Sequence, residues 1–427
     1  MSNPYTAAPD RPEPRLVLVE SNTTGTGRRF CAAARRRGLH PVILARDPAR
    51  YPYIVEDGIT AVALDTGDKE AVLAECRRLA TEAGLAGVTS SSEYFIATAA
   101  TVAAELGLPA PDAEAVRRCR DKALQRALLE RSGVSVPRHR TVGGSDEAVY
   151  AAEELGLPVV VKPVAGSGSV GVKLCRTAEE TAVWAGRLCT EAELGAADRI
   201  LVEEFVEGPE FSVETLDGTV AAVIGKHLGP PPHFVETGHD YPAPAEPAER
   251  EALGETALAA LRALGLGWGA AHTELRMTDR GPVVIEVNPR LAGGMIPVMI
   301  QAAAGTDLVD TVIARAAGQP LPDRGSGTDH GAIRFLLEPG TVRIDAVRPL
   351  AGSLPGSPHA AELTVIAGTA VTAAGSFKDR LGYVVCTGPD TPAAGAAAEQ
   401  ALGGLRRALS LTRLDGDVAA ELSKGGR

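Results

Sequence analysis

Residues 270–290 read AAHTELRMTDRGPVVIEVNPR, and this stretch decides how the rest of the chain is interpreted. Two runs suited to β-strands flank a polar segment at 278–282, a pattern typical of a β-hairpin. Arg280 lies near the centre of that turn, so Glu274 and Glu286, six residues to either side, are predicted to face each other across the strands. Glu286 and Asn288 are two residues apart and therefore share one face of their strand.

The same alternation predicts the neighbours of this polar face. Val284 is expected beside Glu286 and Asn288, whereas Ile285 and Val287 are expected on the opposite face. Two opposed carboxylates repel unless one is protonated or a cation lies between them. Together with the amide oxygen of Asn288 they would form a set of hard oxygen ligands that suits Mg²⁺, particularly when substrate phosphates complete its coordination. The alternative is a polar hairpin face exposed to water.

The chain leaving this strand carries groups suited to anions. Arg290 follows Pro289, and its guanidinium can hold carboxylate or phosphate oxygens through two hydrogen bonds. The next residues, LAGG at 291–294, form a loop whose backbone amides at Gly293 and Gly294 can approach an anion closely. An exposed arginine in a salt bridge is the alternative for Arg290.

Two earlier segments also suggest a phosphate site. VVVKP at 159–163 is followed by AGSGSVGV at 165–172, which predicts a strand, a flexible glycine loop and a second strand. Such a hairpin can fold over phosphates and donate backbone N–H groups, with the ammonium of Lys162 nearby. VEEFVEG at 202–208, followed by Glu210, fits either a protected sheet edge or a linker whose backbone binds an adenine ring. An ordinary flexible hairpin is the alternative for the glycine loop.

The first hundred residues alternate between apolar runs and helix-like segments. Strands are predicted at 16–20, 41–45, 60–64 and 85–89, with helices at 69–83 and 96–106. Helical segments dominate 112–133 and 146–155. Further strands are predicted at 170–176, 199–206, 211–216 and 220–226, and a proline-rich loop at 229–247. This order predicts a parallel α/β domain followed by an antiparallel α+β region.

Composition excludes several classes of protein. The 427 residues carry a formal net charge of −11, which argues against a nucleic-acid groove. No apolar stretch approaches the roughly 18 residues of a membrane span, and the polar start lacks the apolar core of a signal peptide. The six cysteines form no Cys-x-x-Cys pair, so neither a zinc site nor a redox motif is indicated. A cytoplasmic protein without nucleic-acid or membrane partners is expected.

Taken in order along the chain, these segments resemble the ATP-grasp superfamily, from about residue 16 to residue 411. RDK at 120–122 contributes to the resemblance, as do VVKP, the glycine loop, EEFVEG, Glu274 and IEVNPR at 285–290. The implied fold is α/β and α+β, with an N-terminal Rossmann-like pre-ATP-grasp domain and a C-terminal α+β portion. The expected divisions are a disordered tail at 1–14, the pre-ATP-grasp domain at 15–111, a helical linker at 112–158, a lid subdomain at 159–226, a catalytic lobe at 227–317, a C-terminal subdomain at 328–411 and a tail at 412–427.

The resemblance implies a role for each matching position. Arg290, Gly293 and Gly294 would stabilise the reacting acyl phosphate, and Glu274, Glu286 and Asn288 would bind Mg²⁺, with Mn²⁺ as a substitute. The implied ATP-binding residues are Lys122, Lys162, Gly166, Ser167, Gly168, Ser169, Gly171, Glu203, Glu204, Val206 and Glu210.

Within the superfamily the chain is most similar to L-amino-acid ligases. FVETGH at 234–239, SEY at 92–94 and FKDRLGYV at 377–384 have a similar appearance. Glu93, Glu236, His239 and Met295 are therefore expected to bind substrate. The resemblance implies an ADP-forming ligase that joins a carboxylate to an amine, acts on amino-acid-like substrates and forms homodimers. The alternatives are a bicarbonate-activating carboxylase and, from another class, a nucleotide-binding regulator without chemistry.

Overall fold

The computed structural model describes residues 13–22, 26–191, 194, 197–350 and 354–414. The tails predicted at 1–14 and 412–427 lie mostly outside these residues. Among the described residues no single helix is long and apolar enough to cross a membrane; one pair, Ile296–Ala304 and Leu308–Ala316, passes that test jointly but is bent by 108°.

The N-terminal domain contains a four-stranded parallel sheet with helices packed against it. In the strand order β3-β2-β1-β4, the apolar strands β1 and β2 are almost fully buried at the centre, which explains their continuous hydrophobic runs. This confirms the predicted α/β class. The strands are β1 (Arg15–Val19), β2 (His40–Ala45), β3 (Thr60–Ala63) and β4 (Leu85–Thr89), and the helices are α1 (Thr26–Arg36), α2 (Tyr53–Glu56), α3 (Lys69–Ala83) and α4 (Ile96–Glu105).

Two short helices, α5 (Ala113–Arg118) and α6 (Lys122–Arg131), lead to a second, antiparallel sheet, here called the lid sheet. Its strand order is β5-β8-β6-β7. The strands are β5 (His139–Val142), β6 (Val159–Pro163), β7 (Lys173–Cys175) and β8 (Ile200–Glu204), and helices α7 (Ser145–Leu155) and α8 (Ala178–Thr190) pack on one face. Helix α8 was not predicted, and β5 and α7 lie in the stretch expected to be a linker.

The largest sheet has eight antiparallel strands in the order β13-β12-β9-β10-β11-β14-β18-β16. Strands β9 and β10, expected in the lid, pair here instead, so the lid sheet ends at β8 rather than at residue 226. The predicted loop at 229–247 contains strand β11, which was missed because its sequence is polar. The strands are β9 (Glu210–Leu216), β10 (Thr219–Leu228), β11 (Glu236–Tyr241), β12 (Ala270–Thr278), β13 (Gly281–Asn288), β14 (His330–Leu337), β16 (Ala360–Leu363) and β18 (Arg380–Gly388).

The C-terminal region continues this sheet rather than forming a separate one, because β14, β18 and β16 complete its far edge. A small sheet of β15 (Thr341–Val347), β17 (Ala370–Thr372) and β19 (Leu409–Leu414) packs beside it. The remaining helices are α9 (Pro247–Leu264), α10 (Ile296–Ala304), α11 (Leu308–Ala316) and α12 (Thr391–Arg407).

The central hairpin contains a bulge that the sequence did not reveal. Thr278 pairs with Gly281 around a two-residue turn, and the register then shifts so that Glu274 still pairs with Glu286. The predicted opposition of the two acids is therefore confirmed. The predicted position of Val284 is wrong, because Val284 pairs with Leu275 and is fully buried in the apolar core.

Candidate active site

A cavity of about 1000 Å³ separates the lid sheet from the eight-stranded sheet. It is lined by every predicted ATP-binding residue except Gly171, and also by Glu274 and Glu286. Gly171 lies behind the glycine loop, where a Cβ would come within 3.0 Å of Leu188 and where its carbonyl accepts a hydrogen bond from Trp184. The lid sheet and the large sheet thus bring segments separated by more than a hundred residues to one cavity.

The glycine loop between β6 and β7 contacts the N-terminal domain at Tyr94 and the C-terminal region at Phe377. The hydroxyls of Ser167 and Tyr94 are 3.0 Å apart, and Ser169 donates to the carbonyl of Phe234. Gly168 packs so closely on Phe377 that an added Cβ would lie 2.2 Å from its ring. Gly168 also has a φ of +62°, so a glycine is required there by backbone conformation as well as by space.

Lys162 and Glu203 form a buried ionic cluster with Arg126 of α6. Glu203 accepts from Arg126 Nε and from Lys162 Nζ, each at 2.6 Å. Burial disfavours ionisation of Glu203, but the two cations outweigh it and lower its pKa to about 2. Burial lowers the pKa of Lys162 below its usual value, although the carboxylate of Glu203 raises it. The cluster fixes the ammonium of Lys162 at the wall of the cavity.

A buried ammonium that sequence reasoning missed lies among the acids. Lys226 Nζ is 2.8 Å from Glu210, 3.0 Å from Glu236 and 3.2 Å from Glu274. Burial opposes its charge, yet the three carboxylates raise its pKa well above the usual value. A lysine at the end of a strand carries no local sequence signal, because its three partners come from three other strands.

The two opposed acids of the hairpin are each held by a cation. Lys122 Nζ is 3.0 Å from Glu286 and donates to the carbonyl of Gly166 at 2.8 Å. Burial raises the pKa of Glu274, but Lys226 and a hydrogen bond from His272 outweigh it and lower the pKa below its usual range. Charge repulsion between the acids is thereby offset.

The residues present fit a divalent cation only together with ligands from a substrate. Across the described parts of the chain, no group of three or more His, Cys, Asp or Glu side chains is placed to hold a metal ion. Glu274 and Glu286 line the cavity and supply carboxylate oxygens, which Mg²⁺ prefers, whereas Asn288 is buried opposite His272 and is not among the residues that line this cavity. Such a set suits an ion whose coordination is completed by phosphate oxygens.

Arg290 extends from the end of β13 to the N-terminal domain. Its Nε donates to Glu93 Oε2 at 2.8 Å, and Arg120 pairs with the other oxygen of the same carboxylate. Burial raises the pKa of Glu93, but the two arginines lower it below its usual value. Glu93 thus contacts a predicted catalytic residue directly and holds its guanidinium at the mouth of the cleft.

An open cleft of about 3120 Å³ continues from the cavity toward the N-terminal domain, and it contains the predicted substrate residues. Glu93, Glu236, His239, Gly293, Gly294 and Met295 all line it. Met295 is buried and has a left-handed φ of +65° just before α10, a strained conformation for a residue with a side chain. Gly293 and Gly294, directly before it, also line the cleft.

His239 is buried there without a partner. Neither ring nitrogen has a hydrogen bond among the described residues, and Nε2 is 3.8 Å from Glu236. Burial lowers the pKa of His239 to about 3, so the ring is neutral at physiological pH.

Comparisons with known proteins agree with this architecture. Residues 31–110 match the ATP-grasp N-terminal domain, residues 155–298 the ATP-grasp domain and residues 334–409 the L-amino acid ligase C-terminal domain 2. The chain belongs to the ATP-grasp superfamily.

Individual proteins of known sequence or structure also resemble this chain. It is 39% identical to the uncharacterized protein y4rH of Sinorhizobium fredii, over 93% of this chain and 83% of that protein. It is 28% identical to an alanine–anticapsin ligase of Bacillus amyloliquefaciens, over 57% of each chain. The crystal structure of an L-amino acid ligase from Bacillus licheniformis has the same fold, with a TM-score of 0.76, 21% identity, and coverage of 94% of this chain and 99% of that one.

Proposed function

We propose that this protein is an ATP-dependent carboxylate–amine ligase that forms an amide bond through an acyl phosphate and releases ADP and phosphate. The observation that carries the proposal is the pair Glu274 and Glu286, opposed across the hairpin and flanked by the ammonium groups of Lys122 and Lys226. Glu274 lines both the cavity under the lid sheet and the open cleft, and Arg290 lines the cleft.

In this proposal the cavity binds ATP. The backbone at Glu204 and Val206 holds the adenine, Glu210 contacts the ribose, and Lys122 and Lys162 contact the phosphates beneath the glycine loop. Bound Mg²⁺, for which Mn²⁺ can substitute, would neutralise charge on the phosphates through Glu274, Glu286 and Asn288.

In the same proposal, residues of the cleft bind the two substrates and stabilise the reacting groups. A substrate carboxylate attacks the γ-phosphoryl group, and Arg290 with the amides of Gly293 and Gly294 stabilises the acyl phosphate and the later tetrahedral oxyanion. The amine of the second substrate displaces phosphate. The glycine loop, packed against Phe377, keeps water from hydrolysing the intermediate.

Amino-acid-like substrates are favoured by the residues of the cleft. Glu236 suits an ammonium group, and His239 and Arg290 suit carboxylate or phosphate oxygens. The match of residues 334–409 to the L-amino acid ligase C-terminal domain 2 supports the same class. We expect a cytoplasmic homodimer that acts on small molecules.

The direct test is ADP release from ATP and Mg²⁺, screened across pairs of amino acids, with mass spectrometry of the products. We expect release to require two amino-acid-like substrates and to yield a condensed product smaller by one water than their sum. ADP release that depends on bicarbonate and needs no amino acid would contradict the proposal and indicate a carboxylase instead.

A further inference from the structure

Arg380, at the start of β18, reaches the candidate active site from the C-terminal region. Its Nη2 donates to Glu236 Oε2 at 2.7 Å and to the carbonyl of Glu236 at 3.2 Å. The side chain is 14% exposed and lines both the nucleotide cavity and the cleft. An arginine about ninety residues beyond the central hairpin thus contacts the acid expected to receive a substrate ammonium.

Packing fixes the guanidinium in place. The guanidinium carbon of Arg380 lies 3.6 Å from the centroid of the Phe335 ring, and the ring of His239 meets the same phenyl edge-on at 5.6 Å. Directly before Arg380, Asp379 accepts hydrogen bonds from the backbone of Gly375 and Ser376, which makes the supporting turn rigid. Phe335 therefore aligns two polar side chains from different strands at one place.

That place retains hydrogen-bonding capacity. Arg380 Nε and both ring nitrogens of His239 are buried and have no hydrogen-bond partner within the described chain. A Cβ added to Gly294 would lie 3.2 Å from His239 Nε2 and 3.7 Å from Arg380 Nη1, so both groups lie directly against the backbone of this glycine loop. Buried polar atoms without partners are uncommon. Arg380 Nε and the single N–H of the neutral His239 ring are donors, and both side chains line the cleft, where an oxyanion would accept hydrogen bonds from them.

Glu236, beside Arg380 and His239, determines which class of ligand fits here. Glu236 is a carboxylate, because Lys226 and Arg380 outweigh its burial and hold its pKa well below the usual value. A carboxylate and a guanidinium 2.7 Å apart present opposite charges to the cleft, which matches the ammonium and carboxylate of a free α-amino acid.

We propose that Arg380 binds the α-carboxylate of the amine substrate, next to His239, while Glu236 receives its ammonium. The proposal rests on the ligase function above and restricts the amine substrate to a free amino acid. The transferred phosphoryl group is the other oxyanion that could occupy this position, and the experiment below separates the two.

The experiment compares wild type with Arg380→Gln, Arg380→Lys and the control Arg343→Gln, which removes an exposed arginine paired with Asp345. Each is assayed with an amino acid as acceptor and with hydroxylamine, an acceptor without a carboxylate that traps the acyl phosphate as a hydroxamate. For R380Q we expect the KM for the amino acid to rise roughly 10- to 100-fold, because a pair of charge-assisted hydrogen bonds to its carboxylate is lost. Hydroxamate formation should be unchanged, because hydroxylamine has no carboxylate. R380K should recover part of the loss, and R343Q should match wild type in both assays.

Three results would count against the assignment. A parallel fall in hydroxamate formation would place Arg380 on the phosphoryl group, and an unchanged KM in R380Q would leave it a structural residue. If wild type forms neither hydroxamate nor peptide, the ligase function itself fails. If R380Q does not fold, judged by thermal unfolding and ADP binding, the decision shifts to R380K, where a fall in hydroxamate formation as large as the loss with the amino acid overturns the proposal.

Discussion

The nucleotide cavity and the outer cleft differ in how their buried polar groups are satisfied. In the cavity, the ammonium groups of Lys162 and Lys226 are ion-paired with carboxylates from neighbouring strands, and only Nη1 of Arg126 in the ionic cluster has no hydrogen-bond partner among the described residues. In the cleft, both nitrogens of His239 and Arg380 Nε have no partner among the described residues. Paired charges form a site whose geometry is fixed before a ligand arrives, whereas unpaired donors form one that a ligand completes. Variants of the two regions should therefore behave differently.

The largest effect is expected at the ionic cluster of the cavity. Glu203→Gln leaves Arg126 and Lys162 buried without a counter-charge, which should lower the free energy of unfolding by about 3–5 kcal/mol. Urea unfolding at pH 7 measures the change. Glu154→Gln, which removes an exposed partner of Arg140 in the same lid, should change it by less than about 1 kcal/mol. If both variants lower the free energy of unfolding equally, the charges in the cavity are not paired in the absence of a ligand.

Arg290 lines the outer cleft, and its loss should affect chemistry more than nucleotide binding. Arg290→Met is expected to reduce turnover by about 10²- to 10³-fold because the acyl phosphate loses its guanidinium, while ADP affinity stays near that of wild type. Steady-state ADP release and calorimetric titration with ADP separate the two quantities. Arg315→Met, which breaks a pair with Asp217 away from the cleft, is the control. Unchanged turnover in R290M would contradict the assigned role.

A smaller, pH-dependent effect is expected in the cleft. His239 has a folded-state pKa of about 3, below the value of about 6.5 for an unfolded chain, so the unfolded state binds more protons as the pH falls below 6.5. Wild type should therefore lose about 1.4 kcal/mol of stability per pH unit below 6.5, and His239→Gln should not show this loss. Urea unfolding at pH 7 and pH 5 tests this; parallel losses in both proteins would show that His239 is not held neutral.

The two regions also differ in how far they could be predicted from the sequence. The cavity residues lie in short continuous motifs, such as VVKP and IEVNP, whose spacing places side chains on one strand face. The opposition of Glu274 and Glu286 followed from hairpin symmetry and is confirmed. Lys226, Arg126 and Arg380 were not predicted, since their partners lie on elements that only the tertiary fold brings together.

Some errors have local causes. The assumed turn centre at Arg280 was half a residue from the observed one, and the bulge at Ile285 compensated for it while moving Val284 into the core. Strand β11 was read as a loop because Glu, His and Asp are rare in strands, yet Gly238, His239 and Asp240 are buried between β10 and β14. The polar residues Glu236 and His239 of this strand line the outer cleft and do not form a surface loop.

The central claim is that Glu274 and Glu286 hold a divalent cation that presents the nucleotide. Calorimetric titration of ADP, with Mg²⁺ and with a chelator, tests it most directly in wild type, Glu286→Gln and the exposed control Glu362→Gln. We predict that Mg²⁺ strengthens ADP binding in wild type and E362Q, and that this gain falls by at least about 10-fold in E286Q. An equal gain from Mg²⁺ in E286Q and wild type would contradict the account.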